Sequence, residues 1–229
     1  MSGIYLLTIL FGVIGMLISW RLKSKFQTYS QVPLRSNLSG QEIAEQMLRD
    51  HGIYDVRVIT VDGQLTDHYD PTKKTVNLSH DVYFGRNAAA AAVASHECGH
   101  AVQHARAYAF LQFRSAMVPA LSVANGFMPI LLMIGMMILY STGNTLVLTI
   151  GVALFAMATL FSFVTLPVEF DASNRALKWI KEQGIVNSSE YTMSKDALWW
   201  AAMTYVAAAL GMLAQLLYYL NLLGGRRED

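Results

Sequence analysis

Four long uncharged stretches separate the polar segments of this chain. They cover residues 3–20, 115–140, 145–168 and 197–223. A helix needs about 20 apolar residues to cross the ~30 Å hydrocarbon core of a bilayer, and each stretch approaches or exceeds that length. The pattern therefore predicts four transmembrane helices. The first is the shortest, and because it shows no clear cleavage site we expect a retained anchor rather than a signal peptide.

The longest polar segment, residues 21–114, predicts a small α+β domain. Within it, apolar residues recur at helical spacing over residues 41–51, and Gly52 follows as a stop signal. An amphipathic helix is therefore expected near the start of this domain. Together with the apolar stretches, it makes the predicted fold mainly α.

Alternating residues in the same domain predict a small β-meander. Residues 56–61 alternate like a strand, Asp62-Gly63 is a turn signal, and residues 64–69 are the expected returning strand. A second turn at residues 71–74 leads to a short third strand at residues 75–78.

A further helix is expected after Asn87, which is a favourable N-cap residue. Residues 88–94 are alanine apart from one valine, close to the best helix-forming composition. The helix is predicted to run from residue 88 to about 106, and it can join the second membrane span through residues 110–114.

Composition supports the membrane interpretation, since only 14% of residues are charged against ~25% in an average soluble domain. The net charge of +1 gives no indication of a nucleic-acid partner. The single cysteine, Cys98, excludes an internal disulfide and fits a reducing compartment. It is expected to pack inertly.

Basic residues predict the orientation of the spans. Arg21, Lys23 and Lys25 follow the first span, and the segment of residues 169–196 carries four more basic residues. The positive-inside rule places these segments in the cytoplasm and leaves Arg226-Arg227 outside. The chain is thus predicted to be a multi-pass protein of the cytoplasmic membrane, whose basic residues can touch lipid head groups.

His96, Glu97 and His100 form an H-E-x-x-H motif within the predicted alanine-rich helix. Histidines four residues apart lie on one helical face, so both imidazoles can reach one zinc ion. Glu97, about 100° round the helix, can accept a proton from a water at the metal. The motif predicts a metal-ligand pair and a general base.

A catalytic zinc usually has three protein ligands, so a third is needed. His104 is unsuitable because a helix rises ~12 Å between His96 and His104; a role near substrate or beside the ligands is the alternative for His104. Glu169 is the better candidate, at the end of the third span, where a carboxylate is costly unless solvated or bound. Asp171 remains an alternative.

Three segments together resemble the bacterial membrane zinc metallopeptidases of the YugP type. They are SHECGHAVQHA at residues 95–105, TDHYDP at 66–71 and LPVEFDAS at 166–173. The resemblance implies a neutral zinc protease with a zincin-like cytoplasmic domain, distantly similar to HtpX-type and CAAX prenyl proteases.

In those relatives a Glu in an E-x-x-A-D-like motif after a span is the third ligand, which implies Glu169 here. Ala172 keeps the alanine, but Ser173 stands where the acid would be. The carboxylate that would support a ligand is therefore unassigned, and Asp171 is its candidate replacement.

The combined hypothesis is a zinc endopeptidase with one Zn²⁺ held by His96, His100 and Glu169, and with Glu97 as base. Arg175 and His104 are candidates for stabilising the transition state. The strand at residues 66–70 either pairs with an extended substrate or is an ordinary core strand. Asp67, His68 and Asp70 are a less specific candidate for a second metal site.

Other function classes remain as alternatives. A non-catalytic, zinc-binding membrane scaffold would not need Glu97, and a site-2-type intramembrane protease would carry its motif inside a span. A transporter would need more mid-span polar residues than Asn125 and Gln215. Membrane proteins are the expected substrates, and small residues such as Ala207 and Gly211 allow oligomers.

Overall fold

The computed structural model describes residues 2–225 and shows a mainly helical protein, at 75% helix, with one small sheet. Arg226 and Arg227, predicted to lie outside the membrane, fall beyond the described residues. The helices of the described part are α1 (Ser2–Tyr29), α2 (Gly40–Asp50), α3 (His80–Tyr83), α4 (Ala88–Ala105), α5 (Ala109–Thr142), α6 (Leu146–Glu182) and α7 (Ser188–Gly224). The strands are β1 (Arg57–Val61), β2 (His68–Asp70) and β3 (Thr75–Ser79).

Helices α1, α5, α6 and α7 are long and apolar enough to cross a membrane. This confirms the four apolar helices predicted from the sequence. Three of them continue well beyond their uncharged stretches: α1 extends to Tyr29, α6 to Glu182, and α7 begins at Ser188. Glu169 therefore lies within a continuous helix rather than in a loop after a span.

The described chain divides into two compact units. One contains the residues up to Met16, Phe113–Leu166 and the residues from Tyr205 onward. The other contains Leu17–Gln112 and Pro167–Thr204. The second unit thus combines the two polar segments of the sequence, although more than fifty residues separate them along the chain.

The first unit is held together by apolar packing between helices. Its buried cluster consists of Leu132, Leu139, Leu148, Val152 and Phe155. Gly135 permits a close approach of α5 and α6, because a Cβ at that position would lie 2.5 Å from the backbone nitrogen of Leu148. Small residues at helix crossings are typical of membrane bundles.

The second unit packs α2 against α4. Ser39 caps α2 with a complete capping box to Glu42, which explains why this helix begins at Gly40. The apolar face of α2 (Ile43, Met47, Leu48) is buried in the same core as the alanines of α4. Alanine side chains let neighbouring helices approach closely, so the alanine-rich sequence serves packing as well as helix propensity.

The sheet is not the predicted meander. β3 is its central strand, parallel to β1 and antiparallel to β2, and β1 does not pair with β2. All five residues of β3 are buried, as suits a strand with neighbours on both sides. Residues 64–67 are bends and loop rather than strand, so the Asp62-Gly63 turn does not close a hairpin.

Helix α4 begins after Asn87 as predicted and ends at Ala105, so it does not continue into the second apolar helix. The side chain of Asn87 accepts a hydrogen bond from the Ala90 amide, which confirms the N-cap. At the other end Ala107 has a φ of 51°, and the Tyr108 amide donates back to the Gln103 carbonyl at 2.9 Å. This left-handed residue ends α4, so α4 and α5 are separate helices.

Candidate metal centre

Two histidines of α4 and one glutamate of α6 converge in the second unit. The Nε2 atoms of His96 and His100 lie 3.4 and 3.5 Å from Oε2 of Glu169. Ligand atoms of the three residues all lie within 4.8 Å of one another. Within residues 2–225 this is the one group of three such side chains that can hold a metal ion in this way.

Backbone contact between α4 and α6 brings the three residues together. A Cβ at Gly99 would lie 2.6 Å from the carbonyl oxygen of Ala172, closer than real side chains come. Gly99 lies between the two histidines in sequence, and Ala172 is three residues after Glu169. The helices therefore touch where the ligand atoms converge.

The other ring nitrogen of each histidine has its own polar neighbour. Nδ1 of His96 lies 3.1 Å from Oγ of Ser173, and Nδ1 of His100 lies 3.0 Å from Oε1 of Gln103. Hydrogen bonds at Nδ1 orient the rings, and where Nδ1 is the donor they favour the tautomer whose Nε2 lone pair is free for a metal. Both Nε2 atoms face Glu169.

Gln103 was missed by the sequence interpretation. It is fully buried, and its amide nitrogen donates to the Val168 carbonyl and to Asp171, each at 2.8 Å. Its position three residues after His100, on the same face of the helix, is the signal that could have found it. Its partners on α6, by contrast, lie more than sixty residues away.

Asp171 and Arg175 lie beside this glutamine. Nε of Arg175 donates to Oδ2 of Asp171 at 2.6 Å, and the guanidinium lies over the Tyr108 ring at 5.8 Å. Asp171 therefore touches Gln103 and Arg175, and it supports His100 through Gln103. Ser173, at the position of the expected acid, contacts His96 itself.

Glu97 is buried on α4 between the two histidines in sequence, with 8% of its surface exposed. Burial raises the pKa of its carboxyl; both histidines oppose that shift, and the charges of Glu169 and Asp67 reinforce it. A carboxyl whose pKa is raised by burial is a stronger base than an exposed one and is suited to accept and return a proton.

The charge balance of the cluster favours cation binding. Burial lowers the pKa of His100, but the Glu169 carboxylate outweighs this effect, and the net shift is upward. The same carboxylate that stabilises a protonated imidazole would stabilise a metal cation in its place. Two imidazoles and a carboxylate are a donor set that zinc accepts.

His104 lies outside the cluster. Its Nδ1 is 2.8 Å from the hydroxyl of Tyr69 on β2, and the imidazole is exposed. Burial raises the pKa of Tyr69 to about 12, so this phenol is a hydrogen-bond donor at neutral pH. The pair connects the metal-site helix to the edge of the sheet.

The alternative second metal site does not form among the described residues. Asp67 accepts hydrogen bonds from the amide and hydroxyl of Ser79. His68 contacts the Thr66 carbonyl, and Asp70 accepts from amides of the following turn. These side chains stabilise their own loop, which explains why metal-like residues occur there.

Cys98 is also buried, donating to the Ala44 carbonyl on α2.

Comparison with known families places this geometry in context. Residues 4–224 match the family described as "Putative neutral zinc metallopeptidase". The chain belongs to this family. It is 43% identical over 211 residues to "Putative membrane protease YugP" of Bacillus subtilis (strain 168), covering 92% of each chain. No solved structure matches it.

Family membership implies zinc, and the donor set of His96, His100 and Glu169 fits that ion. The four apolar helices and the membrane-protease relative indicate a membrane protein. The resemblance inferred from the sequence motifs is thus confirmed at the level of the family.

Proposed function

We propose that this protein is a zinc-dependent endopeptidase that cleaves membrane proteins at the cytoplasmic face of the membrane. The observation that carries the proposal is the buried convergence of His96, His100 and Glu169 with Glu97 on the same helix. A closed structural zinc site would typically use four Cys or His ligands. Three protein ligands beside a buried acid are instead typical of a hydrolytic site.

In the proposed mechanism His96, His100 and Glu169 hold one zinc ion. Zinc bound there supplies a Lewis acid that lowers the pKa of a water molecule and polarises the scissile carbonyl. Glu97 accepts the proton of the attacking water and delivers it to the leaving amine. Burial raises the pKa of the Glu97 carboxyl, which makes this carboxylate a better proton acceptor than an exposed one.

Substrate binding is proposed along β2, which lies at an edge of the sheet. Edge strands offer backbone groups that an extended peptide can pair with. With the Tyr69 hydroxyl donating to Nδ1 of His104, the Nε2–H of His104 is the hydrogen-bond donor proposed for one side of such a peptide. For stabilising the transition state, Arg175 is a weaker candidate than His104, because its Nε already donates to Asp171.

Cytoplasmic action is proposed from the charge distribution. Every Lys and Arg except Arg226 and Arg227 lies in a segment that the positive-inside rule places in the cytoplasm. All residues of the candidate site lie in the polar segments 21–114 and 169–196. This supports an active site on the cytoplasmic side of the membrane. Substrates are therefore proposed to be membrane proteins, in quality control or processing.

The decisive test replaces the base without removing a ligand. Glu97→Gln keeps the size of the side chain but cannot accept the proton, so casein cleavage by the zinc-loaded, detergent-purified protein should fall by about 10²–10⁴-fold. Zinc content should not change. Glu190→Gln is a matched control, since Glu190 is also buried but its carboxylate accepts hydrogen bonds from the backbone amides of Arg35 and Asn187, away from the metal centre.

Two results would overturn the proposal. Activity of Glu97→Gln within tenfold of wild type would remove Glu97 as the base. A wild-type protein that takes up zinc but cleaves nothing, and whose properties Glu97→Gln leaves unchanged, would instead be a zinc-binding scaffold.

A further inference from the structure

Gln103 is held more tightly than any packing role requires. Its side chain is fully buried, and it makes three hydrogen bonds: one to His100 of the metal centre and two to the helix that carries Glu169. A buried amide is costly unless all its hydrogen bonds are made, so an apolar residue would be the simpler choice in a core. The network needs a functional explanation.

The two acceptors on one end of the amide fix its orientation. The Val168 carbonyl and Oδ2 of Asp171 both lie 2.8 Å from Nε2, and neither can donate as a carbonyl or carboxylate. Reversing the amide would bring Oε1 against two acceptors. Oε1 must therefore face His100, where it accepts a hydrogen bond.

This orientation determines the tautomer of His100. Because Oε1 of Gln103 is an acceptor, Nδ1 of His100 must carry the hydrogen across the 3.0 Å contact. The neutral ring then has its lone pair on Nε2, the nitrogen that lies 3.5 Å from Glu169. A glutamine in this orientation excludes the other tautomer, which cannot bind a metal through Nε2.

A closed set of contacts anchors the glutamine. Asp171 accepts from Arg175, the Arg175 guanidinium lies over the Tyr108 ring, and the Tyr108 amide donates to the backbone carbonyl of Gln103. These contacts begin and end at Gln103: α6 holds its side-chain amide, and Tyr108 holds its backbone carbonyl.

We propose that Gln103 is a positioning residue of the metal centre, which fixes the Nδ1–H tautomer of His100 and directs its Nε2 to the metal. Asp171 and Arg175 act through Gln103 by holding its amide. The inference deepens the proposed function and rests on it only for the identity of the metal. Hydrogen bonds to the remote nitrogen of a metal-bound histidine typically change metal affinity by about 10–100-fold.

The test compares two substitutions of similar volume. Gln103→Met removes the acceptor and should weaken zinc binding by about tenfold or more, measured by competition with a chromophoric chelator. Gln103→Glu combined with Asp171→Asn keeps an acceptor for His100 and places a donor at position 171. The second carboxylate oxygen then faces the Val168 carbonyl without a donor, so this variant should lose stability while it keeps the His100 tautomer. This double variant should bind zinc at least about fivefold more tightly than Gln103→Met.

The order of these affinities separates positioning from packing. A packing role predicts the reverse order, since methionine suits a buried site better than a new carboxylate. Cys98→Ala, a buried substitution on another face of α4, is the control: it should lower the unfolding temperature without changing zinc affinity. If Gln103→Met does not fold, Asp171→Ala should still weaken zinc binding about threefold or more.

Zinc affinity of Gln103→Met within twofold of wild type would overturn the inference, as would equal affinity of Gln103→Met and the double variant. If Asp171→Ala is the variant measured, a zinc affinity within twofold of wild type would also overturn the inference. These failures differ from failure of the proposed function, which would appear as absent zinc binding in the wild type or as unaffected cleavage by Glu97→Gln.

Discussion

The hydroxyl of Ser173 lies 3.1 Å from Nδ1 of His96, on the side of the ring away from Glu169. Only 7% of the Ser173 surface is exposed, so this contact is shielded from solvent. The motif that the sequence resembles led us to expect an acid at this position. A neutral hydroxyl here gives His96 an oriented ring without adding a second negative charge beside Glu169.

Ser173→Ala should therefore weaken zinc binding while leaving the fold intact. Loss of the hydrogen bond to Nδ1 frees the ring of His96, and we expect about a tenfold rise in the zinc dissociation constant. Competition with a chromophoric chelator measures it. Ser95→Ala is the matched control, because Ser95 is a fully buried serine of α4 that bonds only backbone carbonyls.

An unchanged dissociation constant in Ser173→Ala, or an equal loss in Ser95→Ala, would contradict this prediction. The first result would mean that the hydroxyl does not orient His96. The second would mean that any cavity in this part of the unit disturbs the centre.

Local patterns carried most of the correct predictions. The apolar stretches, the capping asparagine of α4 and the spacing of His96 and His100 each depend on residues close together in the chain. Glu169 was placed through a motif shared with known proteases. These features require no knowledge of which distant segments meet.

The incorrect or missing predictions depend on pairing between distant segments. Strand β3 is buried along its whole length at the centre of the sheet, whereas the alternating pattern and the Asp62-Gly63 turn predicted a meander with the strands in chain order. Gln103 has its partners on α6, sixty-five or more residues away. Helix α4 ends at Ala105, close to the predicted residue 106, but the sequence left open a junction with the second span that the left-handed φ of Ala107 excludes.

Gly99 is expected to be essential for the distance between the two helices that carry the ligands. In Gly99→Ala the new Cβ would meet the Ala172 carbonyl at 2.6 Å, and backbone must shift to relieve the contact. We expect zinc affinity to fall by at least about tenfold, because ligand distances tolerate only about ±0.2 Å. The unfolding temperature should fall as well.

Gly126→Ala is the control for this substitution. Gly126 lies in α5 with no heavy atom within 4 Å of a built Cβ, so the change should add helix propensity and leave zinc affinity unaltered. Normal zinc binding by Gly99→Ala would show that α4 and α6 can separate without loss of the site.

The pH dependence of stability should report Asp67. Burial raises the pKa of its carboxyl, and the hydrogen bonds from Ser79 only partly offset this. The folded state therefore binds the proton more tightly than the unfolded chain. The resulting stabilisation is present below the ordinary pKa of about 3.9 and is lost as pH rises through the raised value.

Asp67→Asn removes this pH-dependent loss and keeps an acceptor oxygen for Ser79. The unfolding temperature of the variant minus that of the wild type should therefore be higher at pH 7.5 than at pH 4. Thermal unfolding of the zinc-free protein in detergent measures both. Asp62→Asn, in the exposed bend after β1, should show no such change, and a parallel response of the two variants would refute the assignment to Asp67.

The third ligand can be assigned by comparing two acids of α6. Oε2 of Glu169 lies within 3.5 Å of both histidine Nε2 atoms, whereas Asp171 is bonded to Gln103 and Arg175. Glu169→Ala should therefore reduce zinc from about one ion per chain to a small fraction after washing with a weak chelator. Asp171→Ala should retain most of its zinc under the same wash, since it weakens the centre only through Gln103. Elemental analysis of both purified variants gives the answer: full zinc in Glu169→Ala and loss in Asp171→Ala would reassign the ligand to Asp171.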